Sequence, residues 1–453
     1  MTRLWIPILL SAFFLFAACS SSQEQEEGED VGVDEDVAVD TGADTAPDDT
    51  TVADAQVDTA PPLEDVQTDA ADVFDFETRC EAPPDFSPQP MPDLIEPVVP
   101  HDAEEEHLMG EHMGMLALVS YLDATHVAIN DGYWCNPATW HNGEVPGPGD
   151  RVVIMEGISV EYDIVSDASL FTIRVDGTLR FSPSVSSEMV FDTMVVDQRG
   201  TLIIGTEDQP IEEGVEVRLV IADNGPLDVD WDTMLMSRGV ISHGDAIIHG
   251  QPKTTHLKVA EDPMEGDTEL SLGQTPHNWE VGDTIVLTGT RYSGWKWDND
   301  VHEVLYHGTQ DEVRTIASID DNVVAFDEPL EYDHDTPRDD LKASVANFTR
   351  NVVFETQNAD DVPVTQRGHV MFMHSQSADV RYAEFFRLGR TDKSHPAFAV
   401  ETVDDVEPDT NIQGRYSLHF HRTGIDDQRN PALAIGNAMD DTRYCHRVRF
   451  TGT

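Results

Sequence analysis

The sequence predicts an all-β protein: a parallel β-helix with a small β-rich insertion, preceded by a disordered acidic segment. Short runs rich in β-branched residues and bounded by turn residues recur at 152–154, 171–175, 202–204 and 217–221. Glycine turns at Gly177, Gly200 and Gly225 precede similar strands at spacings of 23 and 25 residues. Such a period is typical of a β-helix, where each coil stacks its apolar strand on the previous coil. Gly239 follows after only 14 residues, so a jelly roll or sandwich remains the alternative.

Charge narrows the classes of partner. The 453 residues carry 27 Lys+Arg against 87 Asp+Glu, a formal net charge of −60. This excludes binding of nucleic acid or anionic membrane by bulk attraction, because phosphate binding needs clustered positive charge. An acidic surface with few lysines suits a salty habitat, since salt screens self-repulsion. A cation such as Ca²⁺ is therefore a more favourable partner than a polyanion.

The N-terminus reads as an export signal over residues 1–18. Arg3 precedes an apolar run from Leu4 to Ala18, which is too short to span a bilayer as a helix. Small residues before Cys19 resemble a bacterial lipobox, in which Cys19 becomes the lipidated first residue. We therefore expect an exported protein held in the cell envelope by its lipid alone, with Ser20 favouring the outer membrane. An ordinary signal peptide that contains a cysteine is the alternative.

Residues 19–95 read as a disordered acidic tether, because Asp, Thr, Ala and Pro bury too little apolar area to offset chain entropy. Residues 96–135 form a lead-in with several His and Met, for which a short irregular or helical segment is favoured over a copper site. In an exported chain Cys80 and Cys135 could pair, and the sequence leaves this open.

Three stretches, 131–154, 176–179 and 239–244, resemble the G8 domain. G8 is a glycine-rich β module found in the hyaluronan-degrading secreted and transmembrane proteins of animals, in polycystic-kidney-type receptors and in bacterial surface proteins. The resemblance covers roughly 126–430. It implies a G8 domain at 136–262 that leads into a right-handed parallel β-helix, with rungs over 341–453.

A β-rich insertion is predicted at 263–340, where strand-like runs at 279–287 and 321–326 depart from the rung pattern. Between them, Tyr292, Trp295 and Trp297 occupy a loop that contains Gly and Asp. Exposed aromatics of this kind can stack on sugar rings, so the three are candidate substrate-binding residues. Packing of the three side chains against the insertion is the favoured interpretation, and stacking on sugar rings is the alternative.

The candidate catalytic segment is 414–424, which contains His-Phe-His. Alternation on a strand places Leu418 and Phe420 inward and projects Arg415, His419 and His421 outward. The Cα atoms of two histidines at i and i+2 of a strand lie about 7 Å apart. This spacing suits two ligands of one metal or a base and its partner.

His374 completes the predicted metal set with His419 and His421, although alternation does not choose between His369 and His374. The cofactor would be a divalent metal, either Ca²⁺ or a transition metal.

The segment from Gly414 to His421 is similar to one in the hyaluronan-degrading G8 proteins, which usually have Pro at the position of Ser417. This implies a metal-dependent polysaccharide hydrolase or lyase in which His419 and His421 are metal ligands or acid/base groups and Arg415 faces an anionic sugar. The β pattern falters near Arg429 and a basic tail follows, for which a frameshifted or truncated gene is the favoured explanation. We therefore expect a binder of extracellular glycan first and an enzyme second.

Overall fold

The structure is a computed structural model. It describes residues 76–95, 106–292, 294–298, 303–306, 308–375, 377–393, 395–421, 423 and 431–440. These residues lie in one unit that begins at Asp72. The predicted signal, Cys19 and most of the predicted tether lie outside them. Among the described residues, no helix is long and apolar enough to cross a membrane.

Two α-helices come first, α1 (Phe76–Arg79) and α2 (Glu106–Ala117). The strands up to the insertion are β1 (His126–Ala128), β2 (Gly132–Tyr133), β3 (Arg151–Ile154), β4 (Ser159–Tyr162), β5 (Val165–Val175), β6 (Thr178–Phe181), β7 (Ser187–Val196), β8 (Thr201–Ile204), β9 (Val217–Ile221), β10 (Gly239–Ser242) and β11 (Asp245–His249). Those of the insertion are β12 (His256–Lys258), β13 (Glu269–Ser271), β14 (Thr284–Leu287), β15 (Trp295–Asp298), β16 (Glu303–Tyr306), β17 (Glu312–Asp320), β18 (Val323–Phe326) and β19 (Ser344–Asn347). The later strands are β20 (Val352–Thr356), β21 (His369–Met373), β22 (Ala378–Arg381), β23 (Ala383–Phe386), β24 (His419–His421), β25 (Leu433–Ile435) and β26 (Ala438–Asp440). Short 3₁₀ turns lie at Tyr121–Asp123, Pro137–Thr139, Asp339–Leu341, Val364–Gln366 and Val400–Thr402.

The strands outside the insertion stack in parallel as the coils of a β-helix, which confirms the predicted fold. The first flank is the outer side of β1, β3, the C-terminal halves of β5 and β7, β10, β21 and β24. The second flank is the outer side of β2, β4, β6, β8, β11, β22 and β25. The third flank is the outer side of the N-terminal halves of β5 and β7, then β9, β20, β23 and β26.

Alternate side chains of these strands fill the inside of the coil, where Val175, Val196, Val240, Val370 and Phe372 are buried without solvent contact. The coil therefore has a packed apolar interior, and polar groups that could act on a ligand lie on the flanks.

The glycine repeat has a steric cause. A Cβ at Gly200 would lie 2.0 Å from the carbonyl oxygen of Val175, and one at Gly244 would lie 2.2 Å from the oxygen of Gly200. Gly177 meets the carbonyl of Ile158 at 2.2 Å in the same way. Each turn thus rests on the backbone of the coil below, where a side chain has no room. Gly225 is not part of this column: its φ is +76° and open space surrounds its Cβ position.

The helix α2 covers the first flank. Its Met115 and Leu116 pack in one buried cluster with Val195, Ile241 and Met371, which point outward from three successive strands. The lead-in is therefore helical over Glu106–Ala117, as the sequence analysis favoured. The segment before it is held to the first coils by a disulfide between Cys80 and Cys135.

The insertion is an antiparallel sheet in the order β12-β19-β14-β17-β18-β13. A bridge between Val259 and Leu272 joins its two ends, so the sheet closes around its own apolar core. The strands β12 and β19 lie outside the predicted bounds of 263–340; both adjoin coil strands in sequence, so composition alone does not separate them. A two-stranded hairpin, β15–β16, extends from the insertion.

Candidate functional site

His419 and His421 lie on β24, the strand of the first flank that pairs with β21. Leu418 and Phe420 pack against the core of the coil, so the two histidines share the outer side, as alternation predicts. Their ring centroids are 5.3 Å apart.

His374 joins them through a break in the strand pattern. It directly follows β21 and has a φ of +54°, which turns its side chain away from the inward direction that alternation would give it. Its backbone N–H donates to the carbonyl oxygen of His421 at 2.9 Å, and its ring lies 5.6 Å from that of His421. His369 is fully buried elsewhere, with its Nδ1 3.1 Å from the carbonyl oxygen of Arg238. The structure thus brings His374, and not His369, to the candidate site.

The third donor is Glu111 on α2. Its Oε2 lies 3.2 Å from His421 Nε2 and 3.6 Å from His374 Nε2. One donor atom from each of these three residues lies within 4.8 Å of the others, and all three side chains are partly exposed. His374 Nε2 is buried without a hydrogen-bond partner.

Two imidazole nitrogens and one carboxylate oxygen fit a transition metal such as Zn²⁺, with an open coordination position. They do not fit Ca²⁺, which takes six to eight oxygen ligands.

Further imidazoles extend the cluster under α2. The ring of His243 lies 5.7 Å from that of His374 and 4.3 Å from that of His112. Burial, followed by the neighbouring His112, lowers the pKa of His243 to about 4. Burial is also the main cause that lowers the pKa values of His112 and His419. These three imidazoles are therefore neutral at neutral pH.

His419 is beside the three donors but not among them. Its Nδ1 lies 2.7 Å from the carbonyl oxygen of Gly414.

The role predicted for Arg415 is wrong. Arg415 is 8% exposed, and its guanidinium donates to the carbonyl oxygens of Leu235 and Met234 at 2.7 and 3.0 Å. Alternation predicts only that the Arg415 side chain points outward. Residues 234–235 cover it on that side, so Arg415 cannot face a glycan.

Trp295 and Trp297 lie on β15 of the β15–β16 hairpin, and Tyr292 precedes that strand in sequence. Tyr292 is 77% exposed and Trp297 is 49% exposed, so the favoured prediction of burial is wrong for both. Trp295 pairs through its backbone with Tyr306, and its side chain lies outside the described part of the structure.

Glu111 is not among the site residues that the sequence predicts. Glu111 is 310 positions from His421, and only the fold brings them together. The signal that could have found it was the run of His and Met in the lead-in, since His112 in that run also joins the cluster.

These coils define the class: a parallel β-helix protein with a cluster of two histidines and one carboxylate on its first flank. The chain contains a G8 domain, whose family profile matches residues 139–260. A G8 domain-containing protein of Dictyostelium discoideum is 26% identical over 70% of this chain and 20% of its own length. Fibrocystin of Canis lupus familiaris is 26% identical over 48% of this chain and 5% of its own length. The chain thus spans about a fifth or less of the length of these relatives.

Among solved structures, the gp54 tailspike of Acinetobacter baumannii bacteriophage AP22, in complex with A. baumannii capsular saccharide, is similar. It shares 13% identity over 48% of this chain and 27% of its own, with a TM-score of 0.19. That score is too low to support an argument, and the β-helix assignment rests on the strand pairing described above.

Proposed function

We propose that this chain is an exported envelope protein that binds an extracellular polysaccharide. The observation that carries the proposal is the exposure of two aromatic side chains. Trp297, on β15 of the hairpin, is 49% exposed, and Tyr292, just before that strand, is 77% exposed. Large aromatic side chains left in water near one another are typical of binding surfaces. Their flat apolar faces match the C–H face of a sugar ring.

Charge supports a preference among glycans. A net charge of −60 repels a polyanion such as hyaluronan unless salt or bound cations screen it. A neutral polysaccharide meets no such repulsion, so we expect neutral glycans to bind more tightly at low ionic strength.

The test is retention of the purified protein on a panel of immobilised neutral and anionic polysaccharides. The double variant Tyr292→Ala, Trp297→Ala should lose at least about tenfold in affinity for the glycan that retains the wild type. Tyr332→Ala is the matched control, because Tyr332 is also an exposed aromatic of the insertion, at 39%. Retention of the double variant equal to that of the wild type would contradict the proposal.

A second function, metal-dependent cleavage of a polysaccharide by a hydrolase or lyase, is favoured by the cluster of Glu111, His374 and His421. A bound Zn²⁺ would supply a Lewis acid and a bound water of lowered pKa. The chain's part is to hold the metal with three donors on an outer flank, where a long polymer can lie, with His419 beside it.

Cleavage is tested by incubating hyaluronan and neutral polysaccharides with the zinc-loaded and the EDTA-treated protein. Zinc-dependent chain shortening that His421→Ala and Glu111→Gln abolish would establish it. His395→Ala is the control, since its side chain is 72% exposed and lies outside the cluster. Absence of cleavage alongside intact glycan retention would leave the binding function alone.

The proposed anchor is a lipid on Cys19. The support is the sequence pattern around Cys19, with an apolar run before it. Expression in a Gram-negative host with radiolabelled palmitate should label the wild type and move it to the membrane fraction. Cys19→Ala should remove the label, and a labelled Cys19→Ala protein would refute the assignment.

A further inference from the structure

A cavity lies on the second flank, outside the packed interior of the coil. It has a volume of about 300 Å³, at the small end of the range for small-molecule sites. Two partly exposed aliphatic side chains, Ile247 and Leu433, form its floor; both are cross-strand neighbours of Asp379. The loop 206–208 forms one wall.

A buried imidazole lines this cavity. His249 is 4% exposed, and its Nε2 is buried without a hydrogen-bond partner. The nearest carboxylate oxygen, Asp379 Oδ2, lies 3.1 Å away but outside hydrogen-bond geometry. Buried polar atoms in proteins are nearly always hydrogen-bonded, so this nitrogen, which has only the ion-pair contact with Asp379, can still bind a ligand group at the cavity wall.

The carboxylate of Asp379 is held in place for such a partner. Arg381, the cross-strand neighbour of His249, donates from Nε to Asp379 Oδ1 at 2.7 Å and from a terminal nitrogen to Oδ2 at 2.8 Å. Its other terminal nitrogen lies 3.1 Å from Glu207 Oε1, in the wall of the cavity. The cavity therefore combines an apolar floor with fixed carboxylates and one imidazole.

This combination selects the chemistry of the ligand. An apolar floor suits the C–H face of a ring, and carboxylates accept hydrogen bonds from hydroxyl groups. Glu207, Asp208 and Asp379 together oppose an anionic ligand, since Arg381 is already paired with two of them. A neutral sugar ring meets each of these conditions, whereas a uronate does not.

We propose that the second flank holds a subsite for one neutral pyranose ring, with Ile247 and Leu433 beneath the ring and Asp379 and His249 hydrogen-bonded to its hydroxyls. The class of ligand rests on the proposed function, and the subsite adds a second location and a preference for neutral sugars. It is independent of the aromatic hairpin and of the Glu111 cluster.

The experiment is saturation-transfer NMR of the full chain with methyl glycosides of glucose, galactose and mannose, with N-acetylglucosamine, and with glucuronate. At least one neutral sugar should bind, and glucuronate should bind at least about tenfold more weakly. Asp379→Asn and His249→Ala should each weaken the neutral sugar at least about tenfold. Arg180→Gln is the matched control, because Arg180 points outward on the same flank, two strands away.

Leu433→Trp gives a second variant, which fills the cavity and leaves its polar groups in place. Unchanged sugar binding in both Asp379→Asn and Leu433→Trp, tighter binding of glucuronate, or no transfer to any neutral sugar would each overturn the subsite. The aromatic double variant separates the two proposals. Monosaccharide binding without polysaccharide retention refutes the proposed function alone, and the reverse result refutes the subsite alone.

Discussion

The first and second flanks are built from strands of the same coils, yet they present different chemistry. On the first flank, α2 covers the outward side chains, and Ile241 of β10 is fully buried there. On the second flank, Ile247 of the next strand also points outward but stays partly exposed beside a cavity. The inside of the coil is apolar on both sides. What covers a flank, rather than the repeat itself, therefore decides what the flank can bind.

The first flank, which α2 covers, holds the cluster of imidazole nitrogen donors. His112 of α2 and His243 next to it are shielded from solvent, and burial lowers the pKa values of both, which keeps their imidazoles neutral. The open flank instead carries the carboxylates of Asp379 and Glu207, which are paired with Arg381. The first arrangement suits a transition metal, and the second suits hydroxyl groups.

The largest expected effect comes from a matched pair of truncations. Ile241→Ala should lower the free energy of unfolding by about 2–5 kcal/mol, because it leaves a cavity between α2 and the sheet. Ile247→Ala should cost less than about 1 kcal/mol, since its side chain is already partly in water. Urea unfolding of both variants measures the difference. Equal losses would show that α2 does not bury the first flank.

Zinc should bind the covered flank and tighten α2 against it. At a free concentration of about 100 times the dissociation constant, zinc should add about 2.7 kcal/mol to the free energy of unfolding. Hydrogen exchange of the amides in α2 should slow at the same time, because Glu111 links the helix to His374 and His421. Removing zinc with EDTA should reverse both changes.

Glu111→Gln should lose both effects of zinc, whereas Glu144→Gln, at an exposed acidic position away from the cluster, should keep them. Stabilisation by zinc in the Glu111→Gln protein would place the metal elsewhere.

On the third flank, Glu384 points outward from β23, since its neighbours Ala383 and Phe385 lie in the core of the coil. Burial raises the pKa of Glu384 from 4.5 to about 7, and Asp440 adds to the rise while Arg350 opposes it. The native state therefore binds this proton more tightly than the unfolded chain, so the stabilising contribution is present below pH 4.5 and is lost as pH rises through about 7.

Glu384→Gln removes that titration. The stability of the variant relative to the wild type should rise by about 2 kcal/mol between about pH 5 and about pH 8, less than full linkage because the site is partly exposed. Thermal unfolding at several pH values measures this. A difference that does not vary with pH would show that Glu384 is not desolvated.

The spacing of turn glycines in the sequence predicted the coil, because each of these turns has the same steric requirement. Gly177 and Gly200 recur since each turn must pass over the carbonyl of the coil below. The next member of that column is Gly244, and not Gly225, because the chain first leaves to form β9 on the third flank. A constant period could not anticipate that excursion.

The candidate site was predictable only in part, because a local sequence pattern predicts only local structure. Alternation placed His419 and His421 outward correctly, but the left-handed φ of His374 breaks the alternation on which the choice between His369 and His374 depended. Alternation also failed for Arg415, because it does not show which loop covers a strand. Glu111 comes from a separate helix, and no local rule brings that helix to the first flank.

The smallest expected effect concerns the open flank and bears on the sugar subsite. Arg381 and Asp379 are 21% and 23% exposed in their side chains, so their ion pair is solvated and should contribute about 0–1 kcal/mol. Asp379→Asn keeps the size of the side chain and should lower the free energy of unfolding by no more than that. Urea unfolding measures it, with Arg180→Gln as the reference for the same flank. A loss of about 3 kcal/mol or more would show that Asp379 supports the fold as a buried charge does. A loss within the expected range would mean that any weakening of sugar binding in the same variant comes from the carboxylate itself.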